Sequence, residues 1–253
     1  MTTPRAGCAV HADGRITFEV PDADGQRLLL RLRPKQGEPE QSLHVMELSG
    51  LGHAVLDADP VLAEGRWDVF LLQGDERTRL RPGPRDLRAL VAGHLRERRA
   101  PLAVRIPYAT KDGYLAVRTW LRPAHAEIDR VDVTPRSLTV GARLHGAELE
   151  DGAEVQLRLR RGAGVLRTLE PLAGADGRGF SFTVDHADLA VGVWNAFVRP
   201  APGAPLVRLA RLLDDVADRK EVYVYPGTAV ENAVVRPYYT VDNDLSVEVT
   251  PAG

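Results

Sequence analysis

Apolar and polar residues alternate along most of this chain, the period expected of strands with one buried face. In the first half the alternation predicts strands over Ile16 to Val20, Leu28 to Arg33, Ser42 to Leu48, Trp67 to Leu72 and Tyr114 to Leu121. In the second half it predicts them over Leu138 to Leu144, Glu154 to Arg161, Val165 to Leu169, Phe180 to Val184, Trp194 to Arg199, Glu221 to Tyr225 and Leu245 to Val249. Asp13-Gly14, Asp24-Gly25, Asp112-Gly113, Asp151-Gly152 and Asp176-Gly177 punctuate these runs. Glycine there admits the positive backbone angles of tight hairpins. Two stretches depart from the pattern: Leu87, Leu90, Val91 and Leu95, and Leu209, Leu212, Leu213 and Val216, fall at helical spacing. They predict one short helix or helical turn after the Trp-bearing strand of each half.

The halves repeat one another. Pro107-Tyr108-Ala109-Thr110-Lys111-Asp112-Gly113-Tyr114-Leu115-Ala116-Val117 matches Pro237-Tyr238-Tyr239-Thr240-Val241-Asp242-Asn243-Asp244-Leu245-Ser246-Val247 at a constant offset of 130. Leu30 to Arg33 aligns with Leu157 to Arg160, and Gly65 to Phe70 with Gly192 to Phe197, both at an offset of 127. Self-similarity at such a period signals tandem domains, and the change of offset marks a short insertion that loops absorb cheaply. The expected fold is all-β, with two tandem immunoglobulin-like β-sandwich domains over 9–121 and 128–250 and a linker over 122–127 centred on Pro123. Trp67 and Trp194, each behind a glycine at matched positions, read as plugs between the sheets.

The composition of the 253-residue, 27.7 kDa chain agrees with a globular protein, at 44% hydrophobic and 27% charged. With 33 basic against 35 acidic side chains, no overall field draws it to nucleic acid or to an anionic membrane surface. The first ten residues carry no apolar h-region, and Cys8 is the single cysteine. The expectation is therefore a cytoplasmic protein without membrane insertion. Nothing in the sequence fixes an oligomeric state.

Chemistry-bearing motifs are sparse. Arg31 with Arg33, and Arg158 with Arg160, would put two guanidiniums on one strand face, but this reads as a half-solvated strand before it reads as an anion strip. Arg96-Glu97-Arg98-Arg99 reads as a solvated run. Asp242-Asn243-Asp244 looks like a calcium loop, yet its counterpart Lys111-Asp112-Gly113-Tyr114 is an ordinary turn, so a turn is expected in both. The seven histidines, His11, His44, His53, His94, His125, His145 and His186, show no paired metal-ligand spacing. Asp185-His186-Ala187-Asp188 reads as an Asp-rich turn. There is no nucleophile elbow, P-loop or dinucleotide fingerprint, and so no catalytic residue, metal or cofactor to assign. The ligand candidates are the tyrosines beside proline at the strand starts, which combine an aromatic face with a carboxylate: Tyr108 with Asp112, and Tyr238 and Tyr239 with Asp242.

The Pro237 to Val247 string, its partner from Pro107 to Val117, and the segment from Leu212 to Pro226 resemble a β-rich repeat region of actinobacterial cell-envelope glycosyltransferases and of teichoic-acid-type glycerophosphotransferases. All but three of the 33 basic residues are arginine, as in proteins from GC-rich genomes. The α/β catalytic domain of such enzymes has no counterpart here, and the resemblance carries over no catalytic residue. It implies a non-catalytic binding or scaffolding module beside an envelope-polymer transferase, with the transferase or a glycopolymer as partner. The alternative is a small enzyme of a natural-product pathway with its pocket in or between the sandwiches, using groups such as His44, His53 or Asp185 with His186.

Overall fold

The structure, a computed structural model, describes residues 3–23, 25–34, 42–59, 61–93, 100–162 and 164–252. The expected Asp24, His94, Leu95 and the Arg96 to Arg99 run lie outside the described residues. The chain forms two compact units, one of residues 1–98, 103–121 and 213–217 and the other of residues 99–102, 122–212 and 218–253.

The first unit is built from β1 (Arg5–Val10), β2 (Ile16–Glu19), β3 (Arg27–Leu32), β4 (Leu43–Glu47), β5 (His53–Leu56), β6 (Gly65–Gln73), β7 (Glu76–Arg79), β8 (Arg81–Asp86), β9 (Leu102–Ala109) and β10 (Leu115–Arg122). One sheet has the order β5-β2-β1-β8 and the other β4-β3-β6-β10-β9, with β7 also on β6. Leu80, fully buried between β7 and β8, marks the point where the chain leaves one sheet and joins the other, pairing in parallel with β1. β8 carries Pro82 and Pro84; Arg81 N–H donates to Pro4 O at 2.9 Å on the β1 side.

The second unit repeats this plan with β11 (His125–Val133), β12 (Ser137–His145), β13 (Glu154–Leu159), β14 (Leu166–Leu169), β15 (Leu172–Ala173), β16 (Gly179–Asp185), β17 (Gly192–Arg199), β18 (Val207–Ala210), β19 (Thr228–Val230), β20 (Ala233–Tyr239) and β21 (Leu245–Pro251). One layer runs β15-β16-β12-β11 and the other β17-β21-β20-β19, with β13 on β17 and β14 on β13. Here β18 alone bridges the layers, pairing parallel with β11 and antiparallel with β17. Trp194, Tyr239, Phe182, Leu157 and Val247 fill the core between the layers. The protein is all-β, two tandem immunoglobulin-like sandwiches.

Register shows how closely the halves correspond. Trp67 stands opposite Leu32 and Val117, and Trp194 opposite Leu159 and Val247. Both indoles are buried, and each Nε1–H donates to the carbonyl four residues back, Trp67 to Ala63 at 3.0 Å and Trp194 to Ala190 at 2.9 Å. The glycine two residues before each Trp has positive φ, 151° at Gly65 and 137° at Gly192. The backbone angle is what favours glycine, since a Cβ there, 2.7 Å from Leu32 Cδ1 or 2.6 Å from Leu159 Cδ1, would meet only the movable end of a leucine.

Three expectations need correction. The helical spacing after β17 is misleading, because Leu209 ends strand β18, and Leu212 and Leu213 are buried in an irregular segment rather than on a helix. Only the first unit has an α-helical turn there, Arg88–Val91, with Leu90 buried. The expected strand from Glu221 to Tyr225 is instead the end of a 3-10 turn (Arg219–Glu221) followed by one isolated bridge, Val224 to Tyr238. Finally, only the first half of the stretch read as the linker is open to solvent, at the exposed Pro123: His125, Ala126 and Glu127 open β11 and are buried. Glu127 Oε2 bonds His125 Nε2 at 2.8 Å and accepts Leu212 N–H at 2.7 Å, so their polar groups are satisfied inside the second unit.

Candidate functional site

The sheet containing the Trp strand has an outward face in each unit, and strand period places the polar residues of that face in rows. In the second unit Arg158, Asn195, Ser246 and Tyr238 stand side by side across β13, β17, β21 and β20. Phe197 and Arg208 form the neighbouring pair, the guanidinium 4.8 Å from the ring centre. Arg158 approaches the same ring at 5.6 Å. In the first unit Arg31, Asp68 and Ala116 make the equivalent row, and Arg31 stacks on Phe70 at 4.7 Å. The arginine strips are thus half-solvated strand faces on which the guanidiniums of Arg31 and Arg158 lie over aromatic rings.

The hairpin turns close both rows. Thr110 N–H donates to Tyr114 O and Gly113 N–H to Thr110 O; Thr240 with Asp244 and Asn243 repeats the geometry. Asn243, at φ 61°, is buried, and its Oδ1 accepts Arg219 N–H at 3.0 Å. Asp244 Oδ2 lies 3.3 Å from Arg208 Nε. Asp242-Asn243-Asp244 is accordingly a turn that anchors its neighbours through these oxygens.

Of the five ligand candidates, Tyr238 and Asp242 line one cleft of about 440 Å³ in the second unit, together with Arg160, Asn195, Phe197 and Arg208. Tyr238 is half-buried and Asp242 exposed. Tyr239 is a correction: it is fully buried, because successive residues of a strand point to opposite faces and its neighbour Tyr238 takes the outer one. Its ring packs edge-on to Tyr223 at 6.0 Å. Tyr108 is half-buried in β9. Asp112 is exposed but held, accepting from Thr110 Oγ1 and from Arg79 Nη1 at 2.8 Å, while Arg79 stacks on Tyr114 at 3.9 Å. The Thr110 hydroxyl, then Arg79, keep its carboxyl well below the ordinary carboxylate range. A depressed native pKa adds stability above the ordinary range that is lost as pH falls through the depressed value. An NMR titration of the side-chain carboxyl should therefore place the Asp112 midpoint below the ordinary aspartate range; a midpoint within that range would refute the latch.

A second cleft, of about 670 Å³, lies in the first unit, lined by Arg5, Gly7, Cys8, Thr17, His53 and Arg85 among others. His53 is the one alternative catalytic candidate among its lining residues. Burial pushes the Cys8 thiol up to about 11, so it stays protonated at neutral pH and offers no thiolate nucleophile. His44 is drawn below its usual value by burial and then by Arg105. Asp185 caps the 3-10 turn His186–Asp188, accepting Ala187 N–H at 3.0 Å and Arg136 Nε at 3.1 Å. Asp185 thus holds the turn before β17 in place.

Arg208, Asn195 and Lys220 were not singled out in the sequence. Arg208 sits beside the stretch whose leucine spacing suggests a helix, and Asn195 reveals itself only when set against Asp68, its counterpart in the other repeat.

No protein-family model matches the chain, and no curated protein does. Among solved structures it is similar to S. aureus TarS, with 15% identity and a TM-score of 0.39 over 59% of this chain and 28% of that one. It is also similar to the FN1–FN3 domains of chicken CNTN1, with 10% identity and a TM-score of 0.21 over 81% of this chain and 61% of that one. A tetra-tandem repeat from the extending region of a large adhesion protein gives 10% identity and a TM-score of 0.23 over 99% and 63%. The chain spans less than a third of the length of TarS.

Proposed function

We propose that the chain is a non-catalytic module that holds a glycopolymer on the outward face of its second sandwich, beside a glycosyl or glycerophosphate transferase of envelope-polymer synthesis. The observation that carries this reading is the convergence of Tyr238 and Asp242 with Arg160, Asn195 and Arg208 on one cleft. Sugar rings stack on aromatic faces and exchange hydrogen bonds with carboxylate, amide and guanidinium groups, and this cleft offers all of them. The first repeat contributes less, because Asp112 is already engaged by Thr110 and Arg79.

Affinity electrophoresis through gels containing a poly(glycerol phosphate) polymer or a neutral glucan tests this. Tyr238→Ala is expected to abolish retardation with a change in stability within about 0.5 kcal/mol. Tyr239→Ala, which empties a core position, lowers the melting temperature. Retention of polymer binding by a folded Tyr238→Ala protein would overturn the proposal.

A further inference from the structure

The two repeats balance charge differently on the same sheet face. In the first, the buried carboxylate of Asp68 receives Arg66 Nε at 2.7 Å and lies 3.6 Å from Arg79 Nη2, and Arg79 also meets Asp112 at 2.8 Å. Two guanidiniums thus face two carboxylates. In the second repeat the position of Asp68 is taken by neutral Asn195. Its Oδ1 receives Arg160 Nη2 at 3.0 Å, Arg208 Nη2 at 3.1 Å and Ser246 Oγ at 3.0 Å. An amide oxygen has two lone pairs, so the three donors must share it, and Arg208 Nη2 turns in part to Ser246 Oγ at 3.0 Å. Asp244 offsets Arg208 at 3.3 Å, but its other oxygen is shared with Arg122 at 3.8 Å. Lys220 adds a further cation to the cleft wall, and Asp242 stands on the same wall as a carboxylate.

We propose that an oxyanion, the phosphate or carboxylate of a bound ligand, binds between Arg160 and Arg208 beside Tyr238. The inference deepens the glycopolymer reading of this cleft and rests on it for the identity of the natural ligand. An arriving oxyanion supplies the acceptor that Asn195 lacks and the charge that Asp68 supplies in the first repeat. Guanidinium groups prefer such planar or tetrahedral oxyanions because two N–H groups can engage two oxygens. Burial pulls the Arg208 guanidinium below its ordinary range, in part against the attraction of Asp244, and a second counter-charge relieves that penalty. In the first repeat the carboxylate of Asp68 occupies the position where this oxyanion would sit.

The probes are inorganic phosphate and acetate, titrated separately into the 253-residue chain and followed by amide NMR. Saturable shifts confined to the neighbourhood of Asn195, Arg208 and Tyr238 are expected with phosphate; acetate reproducing them extends the site to carboxylates. Asn195→Asp, which installs the charge arrangement of the first repeat, is expected to weaken binding about tenfold or more with the fold retained. Arg160→Gln, a change at an exposed side chain, serves as the second variant and is expected to weaken binding likewise. Absence of saturable shifts with either anion, or unchanged affinity in both variants, would overturn the site. A chain that binds neutral glucan through Tyr238 but takes neither anion overturns this inference alone. One that takes phosphate but retains no polymer overturns only the glycopolymer reading.

Discussion

Replacing Trp194 with alanine is expected to destabilise the second repeat by about 3–5 kcal/mol, the cost of emptying a large aromatic site in a close-packed core. The indole is fully buried between the layers, opposite Leu159 on one side and Val247 on the other. These neighbours belong to strands locked by their ladders, which cannot collapse far into the space. Trp194→Phe separates packing from polarity: it keeps most of the volume and leaves the Ala190 carbonyl without its 2.9 Å donor. A smaller loss, of about 1–3 kcal/mol, is expected for it. Trp67→Ala should reproduce the effect in the first repeat, since Trp67 has the same partners by register. Chemical denaturation checks all three, and a loss under about 1 kcal/mol for Trp194→Ala would contradict the packing described.

Glu127→Ala is the second change expected to act strongly, at about 3–5 kcal/mol, because removing one partner of a buried pair leaves the others stranded. Its carboxylate serves both His125 and the Leu212 amide, joining the start of β11 to the segment that follows β18. Neither group is near water, His125 being 1% exposed and Glu127 2%. Glu127→Gln retains an acceptor and should recover more than half of the loss. If the two substitutions are equally damaging, the hydrogen bonds to Leu212 and His125 are not the cause. Equilibrium unfolding of both variants at neutral pH decides this.

The sequence was most informative where a residue had a counterpart. Trp67 with Trp194, Gly65 with Gly192 and the two Pro-Tyr strings kept their spacing because each is fixed by contacts that recur in both sandwiches. Alternation located most long strands for the same reason, one face being buried. It failed where burial came from elsewhere. His125, Ala126 and Glu127 look like a polar linker after Pro123, and only the long-range bond to Leu212, 85 residues away, turns them into core. Leu209, Leu212 and Leu213 show helical spacing because a strand that bridges two layers and the irregular segment after it bury residues in several directions. For the cleft, the pairing of an aromatic ring with a carboxylate picks out Tyr238 and Asp242, which line it, whereas the burial of Tyr239 follows only from the strand's parity. Asn195 and Arg208 were illegible singly, since their meaning lies in how the two repeats differ at a shared position.

One strand bears on how the protein behaves when crowded. β8 forms the outer margin of its sheet, and such a margin offers unpaired amides on which a second chain can grow a ladder, the first step toward aggregation. Along β8 the N–H of Arg81 is turned inward to Pro4, so the amide facing outward next in sequence would be that of residue 82. Proline stands there and again at 84, with no hydrogen to donate at either place. Lateral growth from this margin is disfavoured by covalent structure, since two of its amide donors are missing.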